Sequence, residues 1–124
     1  MNSGDATPAD CPFCRVNNQI EGQLLAETSN AFLINNKYNP GNYLIIPNKH
    51  YESLLDLPDM WWQEVKILLA KVPDLPSDYN ISLNIGKLAG QSINHLHFWV
   101  IPRVDGTPAS GKGFVKLIDQ INAS

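Results

Sequence analysis

The chain is poor in cysteine and histidine and has no long apolar run. It carries only two cysteines and three histidines in 124 residues. Two cysteines cannot make the multi-bridge framework of a small secreted protein. No stretch approaches the roughly 20 apolar residues of a membrane span. The opening Met1 to Asp10 segment lacks the charged and apolar regions of a secretion signal, so a cytoplasmic location is expected. Basic residues are also in deficit, with nine Lys and Arg against twelve Asp and Glu and a net charge of -3. That balance excludes the basic footprint used to hold nucleic acid or an anionic membrane surface.

What is present fits one globular domain. Residues 1–10 are small and polar with Pro8 and read as a disordered tail, leaving 11–124 as a single domain. Gln23 to Glu27, Ala31 to Asn35 and Asn42 to Pro47 have the composition of strands, separated by Thr28-Ser29-Asn30 and Asn39-Pro40-Gly41 turns. A helix is predicted from Asp56 to Val72, because Trp61, Val65, Leu68, Leu69 and Val72 recur on one face before Pro73. Strands follow at Tyr79 to Gly86 and through the histidine segment, then a short helix from about Gly113 to Ile121. About five strands and two helices without a βαβ rhythm predict an α+β fold with an antiparallel sheet.

The chemistry-bearing residues are few. His95 and His97 stand at i, i+2 between apolar residues, so an extended backbone turns both, with Trp99, to one face and Leu96, Phe98 and Val100 to the other. Cys11-Pro12-Phe13-Cys14 is a Cys-x-x-Cys pair. As a redox pair it would need a helix N-terminus after a core strand to lower the thiol pKa, and a ten-residue segment of largely small and polar residues, with no strand, precedes it instead. Two thiolates with two imidazoles form a common tetrahedral zinc set. By inventory alone His50, His95 or His97 could be the histidine left over. The Gly86 to Ser92 loop offers glycines, backbone N–H groups and a hydroxyl beside the histidines, either as an anion-binding concavity or as a plain tight connection. Gly106 to Gly113 nearly spells a P-loop, but Gly113 stands where the metal-binding hydroxyl belongs and too few residues follow for that fold. The Asn80-Ile81-Ser82 sequon lies in a predicted strand and reads as incidental.

Taken in order, Cys-Pro-Phe-Cys, Ala31-Phe32-Leu33, Asn39-Pro40-Gly41, Leu44 to His50, Asn84-x-Gly86 and Gly90-Gln91-Ser92-x-x-His95-Leu96-His97 resemble the histidine triad (HIT) family of nucleotide-binding hydrolases and transferases. The resemblance runs from Cys11 to Arg103. It implies a homodimer that binds a nucleoside phosphate, with a purine as the expected base, and structural Zn2+ held by Cys11, Cys14, His50 and His95. His97 then matches the nucleophile that attacks the α-phosphorus of a phosphoramidate, dinucleoside polyphosphate or similar nucleotide and carries the nucleotidyl group. Asn84, Gly90, Gln91, Ser92 and Trp99 are the expected substrate-binding residues. The segment from Pro102 onward, with its Ser110-Gly111-Lys112 turn, would reach a neighbouring active site.

Three departures qualify the resemblance. Trp99 stands at the third histidine position, and an indole N–H can hold a phosphate oxygen but cannot deliver a proton to a leaving group. A zinc-stabilised nucleotide-binding module with little or no catalysis is therefore the alternative expectation. Ile34 takes the place of a ribose-binding acid, with Asn35 and Asn36 as neighbouring polar groups. The central helix is about two turns, or roughly 10 Å, shorter than usual, which bears on the dimer.

Overall fold

The run Ala31-Phe32-Leu33-Ile34 is apolar at every position, as a strand covered on both faces must be, and all four residues are buried. A computed structural model describes residues 8–106. It contains β1 (Leu24–Glu27), β2 (Ala31–Asn35), β3 (Tyr43–Pro47), α1 (Trp61–Leu69), β4 (Tyr79–Leu83) and β5 (Phe98–Pro102). The strands form one sheet in the order β1-β2-β3-β5-β4. Every neighbouring pair is antiparallel. The expected α+β fold with five antiparallel strands is thus observed. The helix expected over Gly113 to Ile121, the Ser110 to Lys112 turn and the first seven residues of the expected tail lie outside the described residues.

Alternation along the strands divides the core in two. Ala31, Leu33, Ile45, Phe98 and Val100 pack with Trp61, Val65 and Leu68 of α1. Phe32, Ile34, Leu44 and Ile46 face the other way and pack with Cys11, Phe13 and Cys14 of the N-terminal segment, where Trp99 joins them. The second layer is what positions the site. Phe98 is pinned between a stacked Trp61 ring at 5.0 Å and an edge-on Trp62 ring at 5.5 Å.

The Asn39 to Asn42 turn forms as its residues dictate: Asn42 N donates to Asn39 O at 3.1 Å. Gly41 there has φ of 92°, a conformation that glycine adopts without Cβ strain.

The helix begins later than its periodicity predicts. Leu54–Asp56 is instead a separate 3-10 turn capped by the Ser53 hydroxyl. Leu57, restricted by the ring of Pro58, is extended at ψ 138°. Val72 stays buried in the turn after α1. Likewise β4 ends at Leu83, and β5 begins at Phe98, so His95 and His97 stand just before the strand. Leu96 N is tied to Tyr51 O at 2.6 Å instead of entering the ladder. The alternation of faces nevertheless extends back through them.

Candidate active site and metal centre

Cys11 and Cys14 are presented by a tight N-terminal knuckle. Asn17 Nδ2 donates to Pro8 O at 2.8 Å and Cys11 O at 2.9 Å, while Asn17 N donates to Cys14 O at 3.0 Å. The two thiols meet His50, just past the end of β3, and His95, just before β5. Cys11 Sγ lies 3.4 Å from His95 Nδ1, and Cys14 Sγ lies 3.4 Å from His50 Nδ1 and 3.5 Å from His95 Nδ1. All four ligand atoms fall within 4.8 Å of one another, and all four residues are buried.

These separations can be tested against a tetrahedral ion. Zn–S and Zn–N bonds of about 2.3 and 2.05 Å at the tetrahedral angle give an S···N edge of about 3.6 Å, so the observed spacings fit. The outer shell fits as well. His95 Nε2–H donates to Pro47 O at 2.8 Å, and His50 Nε2 lies 3.2 Å from the Glu52 carboxylate. Each partner leaves the Nδ1 lone pair aimed at the thiols, as metal-binding imidazoles require. Burial, reinforced by the neighbouring Cys11, pushes the Cys14 thiol up to about 12. Cys14 is followed only by the 3-10 turn Arg15–Asn17, and no strand among the described residues precedes Cys11, so the helix N-terminus that activates a redox thiol is not built here. Burial likewise pushes His95 down to about 4, partly opposed by its Pro47 bond.

His97 does the reverse with its ring. Its Nδ1–H donates to His95 O at 2.8 Å, which leaves Nε2 as the lone-pair nitrogen. The ring is 5% exposed and stands edge-on to Phe13 at 5.0 Å. Burial lowers its pKa despite the carbonyl bond, so the neutral, nucleophilic form holds at neutral pH. His97 and Trp99 border a cleft of about 770 Å³ with Phe13, Ile34, Leu44, Ser92 and Ile93. That volume lies in the range of small-molecule sites. Trp99 Nε1 is buried and has no partner among the described residues, a donor an entering ligand could satisfy.

The expected substrate residues divide. Ser92 and Trp99 line this cleft beside His97, whereas Gly90 and Gln91 line an adjoining pocket of about 540 Å³ with Lys87, Ser92 and Asn94. Asn84 lines neither of these pockets; its amide packs under Gly90, whose φ of 98° favours glycine. The Gln91 side chain is occupied in holding the loop, accepting from Gly86 N at 2.8 Å and donating to Glu52 O at 3.3 Å.

Beside Ile34, the amide oxygens of both neighbours are engaged by backbone. Asn35 Oδ1 accepts from Gln23 N at 2.6 Å, and Asn36 Oδ1 accepts from Tyr38 N and Asn39 N at 3.1 Å each. Among the described lining residues the one carboxylate is Glu21, which accepts from the Tyr38 hydroxyl. Sequence reasoning missed Glu21 and Glu52. Glu52 had a signal in its His-x-Glu spacing; Glu21, in a loop, had none.

The HIT domain family matches residues 17–106. This chain belongs to the HIT family. An uncharacterized HIT-like protein of Methanocaldococcus jannaschii is 38% identical over 118 residues, covering 88% of this chain and 92% of the relative. The adenosine 5'-monophosphoramidase of Saccharomyces cerevisiae is 35% identical over 130 residues, covering 94% and 82%. The crystal structure of a histidine triad nucleotide-binding protein from Candida albicans superimposes with a TM-score of 0.60 at 27% identity, over 92% of this chain and 94% of that one. The HIT resemblance and the HIT-like fold read from the sequence are thereby borne out.

Proposed function

We propose that this HIT protein is a nucleotide hydrolase or nucleotidyl transferase acting at the α-phosphate through a nucleotidyl intermediate on His97. The observation that carries the reading is the fixed tautomer of His97: Nδ1 is committed to the His95 carbonyl, and Nε2 is left as the nucleophile in a residue bordering the cleft. Nε2 attacks phosphorus, and the bond to the leaving group breaks with its electron pair. Water then displaces the nucleotidyl group from His97. Ser92 and the orphaned Trp99 indole N–H are the donors for the phosphate oxygens, while Asn84, Gly90 and Gln91 shape the loop beside them. The apolar walls at Ile34, Leu44 and Ile93 receive the base, a purine by resemblance. The phosphoramidase named among the relatives supports the same class of chemistry.

Cys11, Cys14, His50 and His95 would hold Zn2+. The ion would supply fold stability, tying the N-terminal knuckle to β3 and to the segment before β5. The buried, unbridged thiols suit a reducing, cytoplasmic setting. No helix among the described residues is long and apolar enough to cross a membrane. The protein acts as a homodimer in this reading, supported by exposed Trp62, Ile67, Tyr79 and Ile81 on α1 and the edge strand β4.

Incubation with α-labelled nucleotide substrates tests the proposal. The wild type yields nucleoside monophosphate and labelled protein, and His97→Ala lowers turnover by about 10³-fold or more with no labelled protein. A wild type that forms neither product sinks the reading. Trp99 favours one second reading, a zinc-stabilised nucleotide-binding module; a monophosphate that raises the Tm without any His97-dependent turnover would establish it.

A further inference from the structure

Resting on the reading above, we propose that the pocket beyond Ser92 is the leaving-group subsite, and that Lys87 makes it selective for leaving groups that end in phosphate over neutral amines. In-line displacement puts the leaving group on the far side of phosphorus from the attacking nitrogen. A site built on His97 therefore needs a second space past the phosphate. Ser92 lines both the His97 cleft and a pocket of about 540 Å³ with Lys87, Gly90, Gln91 and Asn94, so the two spaces adjoin at that residue.

The lining fixes the charge this space accepts. Among the described residues that line it, Lys87 is the one charged side chain and none is a carboxylate. The loop that carries Lys87 is firmly held. Ala89 N and Gln91 N both donate to Gly86 O at 3.1 Å, Gly90 N donates to Lys87 O at 3.1 Å, and the Gln91 side chain closes the turn onto Gly86 N. A point charge on such a platform recognises phosphate oxygens.

Trp99 supplies an independent observation toward the same class. An amine, with a pKa of about 10, must take up a proton as it departs, whereas a terminal phosphate with a second pKa of about 6 departs as an anion. The indole N–H at Trp99 donates a hydrogen bond but no proton. In the polyphosphate reaction the His97 Nε2–P bond forms, the bridging P–O bond breaks, and its electron pair leaves on the bridging oxygen beside Lys87. No proton donor is required. The geometry and the missing acid both point to a dinucleoside polyphosphate or similar nucleotide.

The test compares kcat/KM for a dinucleoside polyphosphate and for a nucleoside phosphoramidate of the same base, in wild type, Lys87→Glu and Lys87→Arg. The wild type is expected to prefer the polyphosphate. Lys87→Glu lowers the polyphosphate-to-phosphoramidate ratio by about tenfold or more, and Lys87→Arg restores most of it. A wild-type preference for the phosphoramidate overturns the inference, as does a ratio that Lys87→Glu leaves unmoved. If neither substrate gives a His97 adduct, the underlying nucleotidyl-transfer reading fails instead, and the subsite assignment with it.

Discussion

His95 and His97 are two residues apart and nearly equally buried, yet they present opposite ring nitrogens. Two backbone carbonyls decide it. Pro47 O takes the Nε2–H of His95 and leaves Nδ1 for the thiols, while His95 O takes the Nδ1–H of His97 and leaves Nε2 for the cleft. Glu52 does for His50 what Pro47 does for His95. Outer partners of this kind tune metal affinity by about 10–100-fold, so Glu52→Ala is expected to weaken Zn2+ binding by that factor. Competition with a chromophoric chelator measures it, and an unchanged affinity would remove Glu52 from the metal's support. The two histidines and their alternation were legible in the sequence. Their tautomers were not, because those depend on where Pro47 and His95 place their carbonyls.

At the scale of elements, Glu64 on α1 is an unexpected anchor, because a glutamate is rarely buried unless its carboxylate is paired. It is buried and accepts from Thr28 Oγ1 at 2.5 Å, Asn30 N at 2.9 Å and Asn30 Nδ2 at 2.9 Å, clamping the helix to the β1–β2 turn. Burial alone would raise its pKa; the bonds from Thr28 and Asn30 outweigh it and hold the carboxyl below the ordinary glutamate value. A pKa depressed by folding contributes stability above the unfolded-state value, and that contribution is lost as pH falls through the folded value. Glu64→Gln is therefore expected to lower stability by about 1.5–3 kcal/mol at pH 7, with the deficit shrinking in acid. Denaturant midpoints for both proteins at pH 7 and pH 4 check this, and a deficit equal at both pH values would contradict it. The apolar face of α1 could be read from spacing. Its start could not, because Pro58 holds Leu57 extended and splits the expected helix into a 3-10 turn and α1.

For the whole molecule, the sheet has a covered middle and an uncovered edge. β3 and β5 are enclosed by α1 on one side and the cysteine knuckle on the other, which is why the histidines between those layers are dry. β4 is different: it ends the sheet, and Tyr79 and Ile81 stand 38% and 42% exposed on it. Ile81 lies opposite Val100, whose side chain packs with α1, so the exposed apolar positions of β4 are on the helix side of the sheet. There Trp62 touches Phe98, and Phe98 lies opposite Leu83 of β4. An open strand edge continuous with exposed aromatic surface is a surface that chains bury in one another. In the proposed homodimer a second copy would pair its β4 antiparallel with this β4 and set α1 beside α1, a helix nine residues long. A charge at the centre of that edge should open the pair without touching the histidines. Ile81→Lys is thus expected to sediment as a monomer where the wild type sediments as a dimer, while still binding one Zn2+ per chain. A wild type that remains monomeric at tens of micromolar, or an Ile81→Lys variant that stays dimeric, would place the interface elsewhere or remove it.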